Sequence, residues 1–265
     1  MEMPSSACSI GTSHSDFAAN DMDVIDGIIN LNKPVGITSA KALYKVRALS
    51  GMRKSGHTGT LDPGADGVLV LCVGKATKLV ERMMDQPKVY RARARFDVTS
   101  ESFDSDRPLV PVEVAARPAP AFVEASLAEF EGEIQQVPPA ISALKVGGVP
   151  AYKLARRGAE ANLKPRAVRL YWTKLHAYDW PAVDFEVCCG RGTYIRALIR
   201  DWGARLAVGG CLTGLTRTAV GPFTAEDAWT LDRLETASPA DYILRLDAVR
   251  ELLDGQGASP PARPA

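Results

Sequence analysis

Six consecutive apolar residues, Val68-Leu69-Val70-Leu71-Cys72-Val73, constrain the fold more than any other feature of the chain. A continuous run of this kind predicts a buried strand. The approach to it, Gly56 to Gly67, holds four glycines and Pro63. Glycines there permit tight turns or close approach of another backbone. The segment Gly56 to Gly67 therefore reads as turn-forming chain just before a buried strand.

The other elements follow from periodicity. Gly27 to Asn32 reads as a strand stopped by Lys33-Pro34-Val35-Gly36. Ser39 is the expected N-cap of a helix carrying Leu43, Val46 and Leu49, which ends at Gly51. Thr77 is the expected cap of a helix with Leu79, Val80, Met83 and Met84. Val89 to Phe96 alternates strictly, with Tyr90, Ala92, Ala94 and Phe96 on one face and Arg91, Arg93 and Arg95 on the other. Pro108, Pro111, Pro118 and Pro120 mark a loop or linker over 107–120. Phe122, Leu127 and Phe130 suggest a helix. Val168–Tyr178 and Phe185–Cys189 read as strands. Ile195, Leu198, Ile199, Trp202 and Leu206 form a core-facing helical stripe. Strands and helices mix without a βαβ rhythm. The expected class is α+β, with a largely antiparallel mixed sheet flanked by helices.

Charge is uneven along the chain. Residues 1–26 hold five acids and no Lys or Arg, and residues 226–265 hold eight acids against four arginines. The total is +1, so the span between them carries +10. A basic body between acidic ends fits a polyanion such as nucleic acid, and equally a solvated basic surface. No run of 18 apolar residues exists, which excludes a transmembrane helix. The start lacks the basic and apolar regions of a secretory signal. The five cysteines show no CxxC spacing, which argues against a zinc ribbon and fits a reducing cytoplasm. Three histidines are too few for a multi-His metal site.

Local chemistry leaves several readings open. Asp-Pro-Gly is an ordinary turn, so Asp62 is either a turn former or a catalytic group. Asp62 and Asp66 could be a glycosidase pair, but spacing alone fixes neither separation nor pKa. Ser39, Ser55 and His57 could be drawn as a triad, without any GxSxG to support it. No phosphate-binding GxxxxGK[ST] is present. Arg196 falls in the first turn of a helix, where a cation needs a carboxylate partner or solvent.

Five ordered stretches resemble one family. GHTGTLDPGADGVLVLCVGKATKL, beginning at Gly56, is similar to the catalytic motif of the bacterial tRNA uridine-55 pseudouridine synthases, the tRNA pseudouridine synthase B family. Leu31 to Ser39 resembles its Lys-Pro motif, Lys88-Val89-Tyr90-Arg91-Ala92 its Tyr motif, and Gly192 to Arg196 its Tyr-Ile-Arg motif. Pro138 to Lys145, with Tyr152 and Ala155 to Gly158, resembles its RNA-gripping segment. The resemblance spans roughly residues 27–225. It implies isomerisation of a uridine in the tRNA T-loop, position 55, to pseudouridine. The base would be flipped out, and the reaction would need neither metal nor organic cofactor.

Residue by residue, the resemblance makes Asp62 the catalytic carboxylate and Arg196 its ion-pair partner. Tyr90 would stack on the uracil, Tyr194 and Leu215 would line the base pocket, and His57 would sit beside the flipped nucleotide. Lys33 and Pro34 would support the catalytic loop. The expected partner is the tRNA T-arm, with no membrane, no obligate protein partner and a monomeric, cytoplasmic chain. The expected organisation is a flexible acidic leader over 1–26 and a catalytic domain over 27–225. Residues 226–265 would be a short acidic extension with a disordered Pro-rich tail and no separate RNA-binding domain.

Three features depart from the family pattern: Ile141 where an aromatic is usual, Ser100 to Asp104 in place of Thr-Asp-Thr-x-Asp, and the short C-terminus. Two alternatives follow, a non-catalytic tRNA-binding or folding module, or a synthase acting on another uridine.

Overall fold

The computed structural model describes residues 25–142, 144–146, 149–150, 163–256 and 259–264. Residues 1–24 of the acidic leader, and Ala143, Tyr152 and Ala155 to Gly158 of the RNA-gripping segment, lie outside them. In chain order the strands are β1 (Gly27–Lys33), β2 (Ser55–His57), β3 (Asp66–Val73), β4 (Lys88–Arg95), β5 (Val98–Thr99), β6 (Val110–Pro111) and β7 (Gly132–Gln136). There follow β8 (Lys145–Val146), β9 (Val149–Pro150), β10 (Arg166–Asp179), β11 (Ala182–Cys189), β12 (Cys211–Val220), β13 (Phe223–Thr224) and β14 (Leu244–Arg245). The helices are α1 (Ser39–Ser50), α2 (Val80–Met84), α3 (Pro120–Ala128), α4 (Ile195–Arg205), α5 (Leu231–Thr236), α6 (Pro239–Tyr242) and α7 (Leu246–Gln256).

One mixed sheet dominates, in the order β14-β1-β3-β12-β4-β11-β10-β7, with β13 on β12 and β2 on β3. Its pairings are antiparallel except the short contact of β12 with β3, at Thr216↔Asp66 and Arg217↔Gly67. Past Gly67 it is β2 that pairs with β3, so the sheet opens there. Gly67 makes the contact possible. Its φ is +96°, and a Cβ would lie 2.2 Å from the Arg217 carbonyl oxygen.

The apolar run is buried on both sides. Leu69, Leu71 and Val73 face the main core with Leu43 and Val46 of α1. Val68, Val70 and Cys72 face a second cluster with Val249 and Leu253 of α7. The segment after residue 225 therefore supplies one of the two layers, and β14 extends the sheet beside β1. On the other wing Trp202 of α4 is fully buried, edge-on to Phe96 at 4.9 Å and to Phe185 at 5.3 Å. Its indole N–H donates to Ser126 Oγ at 2.8 Å, so the ring's polar edge is satisfied.

The alternation of β4 and the stripe of α4 appear where the sequence puts them. Several local expectations shift. Thr38, not Ser39, caps α1 by accepting from the Lys41 N–H at 3.0 Å. Thr77 does not cap a helix: it lies inside a 3-10 turn, Gly74–Leu79, with its hydroxyl on the Gly74 carbonyl. α3 buries Val123 and Leu127 but leaves Phe122 41% exposed. The tail is not free of the body. Trp172 Nε1 donates to the Pro261 carbonyl at 2.8 Å, Lys174 Nζ to the Pro264 carbonyl at 3.3 Å, and Arg263 pairs with Glu131 at 3.7 Å. Composition missed this docking because the tail offers carbonyls and one arginine, not apolar bulk.

Candidate active site

The site forms where the sheet opens. The loop before β3 is tied down at three points. Ser39 is 1% exposed, and its Oγ both donates to the Leu61 carbonyl at 3.0 Å and accepts from the Leu61 N–H at 2.8 Å. The Gly36 N–H donates to the Pro63 carbonyl at 2.8 Å. The Ala65 N–H closes a turn onto the Asp62 carbonyl at 3.1 Å. Lys33 is fully buried and holds the Pro34–Ile37 corner, donating to the carbonyls of Pro34 at 2.8 Å and Ile37 at 2.9 Å. Burial lowers the Lys33 pKa, and the charges of Asp66 and Asp62 partly offset that. Lys33 and Pro34 thus stand behind the loop rather than in the cavity.

Asp62 projects from this loop with its side chain 44% exposed. Its Oδ2 meets Arg196 Nη2 at 2.9 Å, and the arginine side chain is only 7% exposed. Arg196 is further held by the carbonyls of Ser102 at 3.3 Å and Ile141 at 3.0 Å. A cation in the first turn of α4 opposes the helix dipole, and the carboxylate offsets that cost. Ile141, a departure from the family pattern, contributes here through its backbone oxygen, which any side chain at that position retains.

A cavity of about 330 Å³ opens on one side of the pair. Tyr90 of β4, Tyr194, Leu215 of β12 and Lys88 line it together with Asp62 and Arg196. Tyr90 is 9% exposed, and burial raises its pKa. His57 lies on β2, one residue before the cavity wall begins at Thr58. Its pKa is lowered by burial and then by Arg217, so the ring is held neutral. Ser39 and Ser55 are engaged elsewhere, Ser55 with Arg47 at 2.6 Å, and no triad assembles with His57.

Two residues in this geometry are absent from the sequence reading of the site. Gln136, 1% exposed at the end of β7, clamps the Tyr194 backbone: its Oε1 accepts from the Tyr194 N–H at 2.8 Å and its Nε2 donates to the Tyr194 carbonyl at 3.1 Å. Arg217 lies between β3 and Tyr90, 1% exposed, and also lines the cavity. Nothing local signals Gln136, whereas Arg217 stands two residues after Leu215.

The fold is shared with chains of solved complexes. The chain resembles one in a Cbf5-Nop10-Gar1 complex with a TM-score of 0.61 and 31% identity, over 78% of this chain and 52% of that one. A chain of an H/ACA RNP bound to a substrate RNA containing 2'-deoxyuridine gives a TM-score of 0.59 and 28% identity, over 78% and 51%. This chain thus spans about half of each. Among curated proteins, the tRNA pseudouridine synthase B of Clostridium kluyveri is 41% identical over 223 residues, 84% of this chain and 77% of that protein. The tRNA pseudouridine synthase B of Burkholderia pseudomallei is 42% identical over 229 residues, covering 86% and 76%.

The class these likenesses define is the pseudouridylate synthases. A family model described as TruB family pseudouridylate synthase (N terminal domain) matches residues 47–195, and one described as tRNA pseudouridylate synthase B C-terminal domain matches residues 196–253. The chain belongs to the TruB family.

Proposed function

We propose that this chain isomerises uridine 55 in the T-loop of tRNA to pseudouridine, with Asp62 as the catalytic carboxylate. The observation that carries the reading is the Asp62–Arg196 pair at 2.9 Å, facing a cavity walled by Tyr90, Tyr194 and Leu215. The target base is stacked inside a folded loop, so it must be extruded to reach this cavity. Tyr90 offers a ring face for stacking, and Leu215 and Tyr194 enclose the base edge. Asp62⁻ lies next to the ribose of a base held there. It acts either by trapping an electron-poor C1′ or by taking a proton from the sugar. Arg196 holds the carboxylate in place at 2.9 Å.

The +10 span 27–225 grips the T-arm phosphates, and the chain works as a cytoplasmic monomer without an obligate protein partner. The test is incubation of purified protein with unmodified tRNA, followed by mapping of pseudouridine. Wild type forms it at position 55, and Asp62→Asn forms none while binding tRNA within about tenfold of wild type, because binding rests mainly on phosphate contacts. Turnover by Asp62→Asn within tenfold of wild type sinks the assignment.

A further inference from the structure

We propose that Arg217 is a further catalytic residue, the group that takes up the negative charge of the uracil once it leaves the ribose. The inference rests on reading the site as a pseudouridine synthase centre. Arg217 is 1% exposed, and among the described residues it makes no ion pair within 4.0 Å. Its partners are neutral. Nε donates to the Val68 carbonyl at 2.7 Å, Nη2 donates to the Gly59 carbonyl at 3.2 Å, and Nη1 lies 3.5 Å from Tyr90 Oη. The guanidinium carbon is 6.0 Å from the centroid of the Tyr90 ring. A buried cation without a counter-charge is costly, so its retention needs a reason. Arg196 has its counter-charge in Asp62. Arg217 has none among the described residues, and it lines the same cavity.

The charge balance of the cavity points to the missing anion. Lys88 lines the same wall, 6% exposed and pinned to the carbonyls of Met84 and Gln86. With Asp62 and Arg196 cancelling each other, the wall is net positive. A bound uridine base is neutral and gains little from this. When the N1–C1′ bond breaks, its electron pair stays on N1, and the uracil becomes a monoanion delocalised over O2, O4 and C5. The ribose is meanwhile balanced at Asp62, by a bond at C1′ or by a proton. The base then turns and the pair at C5 forms the bond to C1′, while Asp62 leaves C1′ with the electron pair of its own bond or returns the proton to the sugar; C5 then loses its proton and N1 gains one. No oxidant or reductant enters. Fixed cations beside the base favour the separated state over the bound substrate, which is the condition for lowering the barrier. They also keep the detached base from escaping while it turns. A phosphate is the other anion RNA offers, and a role there appears in binding rather than in the chemical step.

The experiment compares Arg217→Met and Arg217→Lys with wild type. It uses single-turnover rates at saturating unmodified tRNA, tRNA Kd and thermal unfolding. Arg217→Met is expected to lose at least about a hundredfold in rate, the scale of losing an oxyanion donor, with Kd within threefold. Arg217→Lys is expected within about tenfold of wild type at pH 7, then to fall further behind as pH rises, because a buried lysine deprotonates where an arginine does not. A lysine variant as slow as the methionine variant overturns the proposal. So does a loss confined to Kd. If Arg217→Met does not fold, the lysine series decides alone: a rate ratio to wild type constant from pH 7 to 9.5 overturns it. A wild-type protein that makes no pseudouridine sinks the reading of the site, a result separate from any of these.

Discussion

Arg196 Nη2 lies 2.9 Å from Asp62 Oδ2, joining the first turn of α4 to the loop before β3. The two ends of this pair are unequal. The guanidinium is buried and fixed by two carbonyls, and the carboxylate is half in water. The arginine is therefore the template and the aspartate the group it aims.

Arg196→Met is expected to abolish most activity, whereas Tyr194→Phe keeps the ring and costs less. Asp62 is 44% exposed, so water screens its unpaired charge and the folding penalty stays at about 1–2 kcal/mol, below that of a fully buried pair. Pseudouridine formation and urea unfolding, measured on both variants, check this. A Tyr194→Phe defect equal to that of Arg196→Met contradicts it.

Ser39→Ala unties α1 from the loop that carries Asp62. It leaves the Leu61 N–H and carbonyl without their buried partner. The expected loss is about 1–3 kcal/mol of stability, the range for an unsatisfied buried group. The rate falls as well, because Asp62 is the next residue. Ser39→Thr, which keeps the hydroxyl, recovers more of the rate than of the stability. Denaturation midpoints beside single-turnover rates resolve the two.

Lys88 gives the fold a pH dependence. Burial lowers its pKa to about 8 from 10.5, with Arg217 as the next contribution. The folded state therefore binds fewer protons than the unfolded state between those values. Stability from this group rises with pH across that window, and below about 8 the buried charge is a full penalty. Relative to Lys88→Met, wild type is expected to gain about 1 kcal/mol between pH 7 and 9. Paired unfolding curves at the two pH values measure it, and a difference that shrinks with pH has the wrong sign.

Deleting residues 259–265 uncovers Trp172, whose ring is 7% exposed and whose indole N–H bonds to Pro261. Tryptophan fluorescence is expected to shift to the red, and the shift disappears in a Trp172→Phe background. Pseudouridine formation is expected to be unaffected, because none of the described tail residues lines the cavity. A loss of activity on deletion would place the tail in RNA binding.

The sequence by itself determined what lies within one element or one motif. The alternation of Tyr90, Ala92, Ala94 and Phe96 defines the buried face of β4, since side chains in a strand repeat every second residue. The stripe from Ile195 to Leu206 defines the inner face of α4 by the helical repeat. Asp62, Tyr90, Tyr194, Arg196 and Leu215 were legible through ordered motifs, and all five line one cavity. Tertiary structure alone decided the contacts between distant segments. Ser39 reads locally as a cap because serine caps helices, yet it faces Leu61. Gln136 reads as an ordinary strand residue, yet it holds Tyr194. The second face of Val68, Val70 and Cys72 needs a cover that no local pattern names, and α7 provides it from the far end of the chain. Periodicity reports which side of an element is apolar. Which partner meets that side, and which buried hydroxyl, amide or guanidinium finds a bond there, is set by the order and register of the strands.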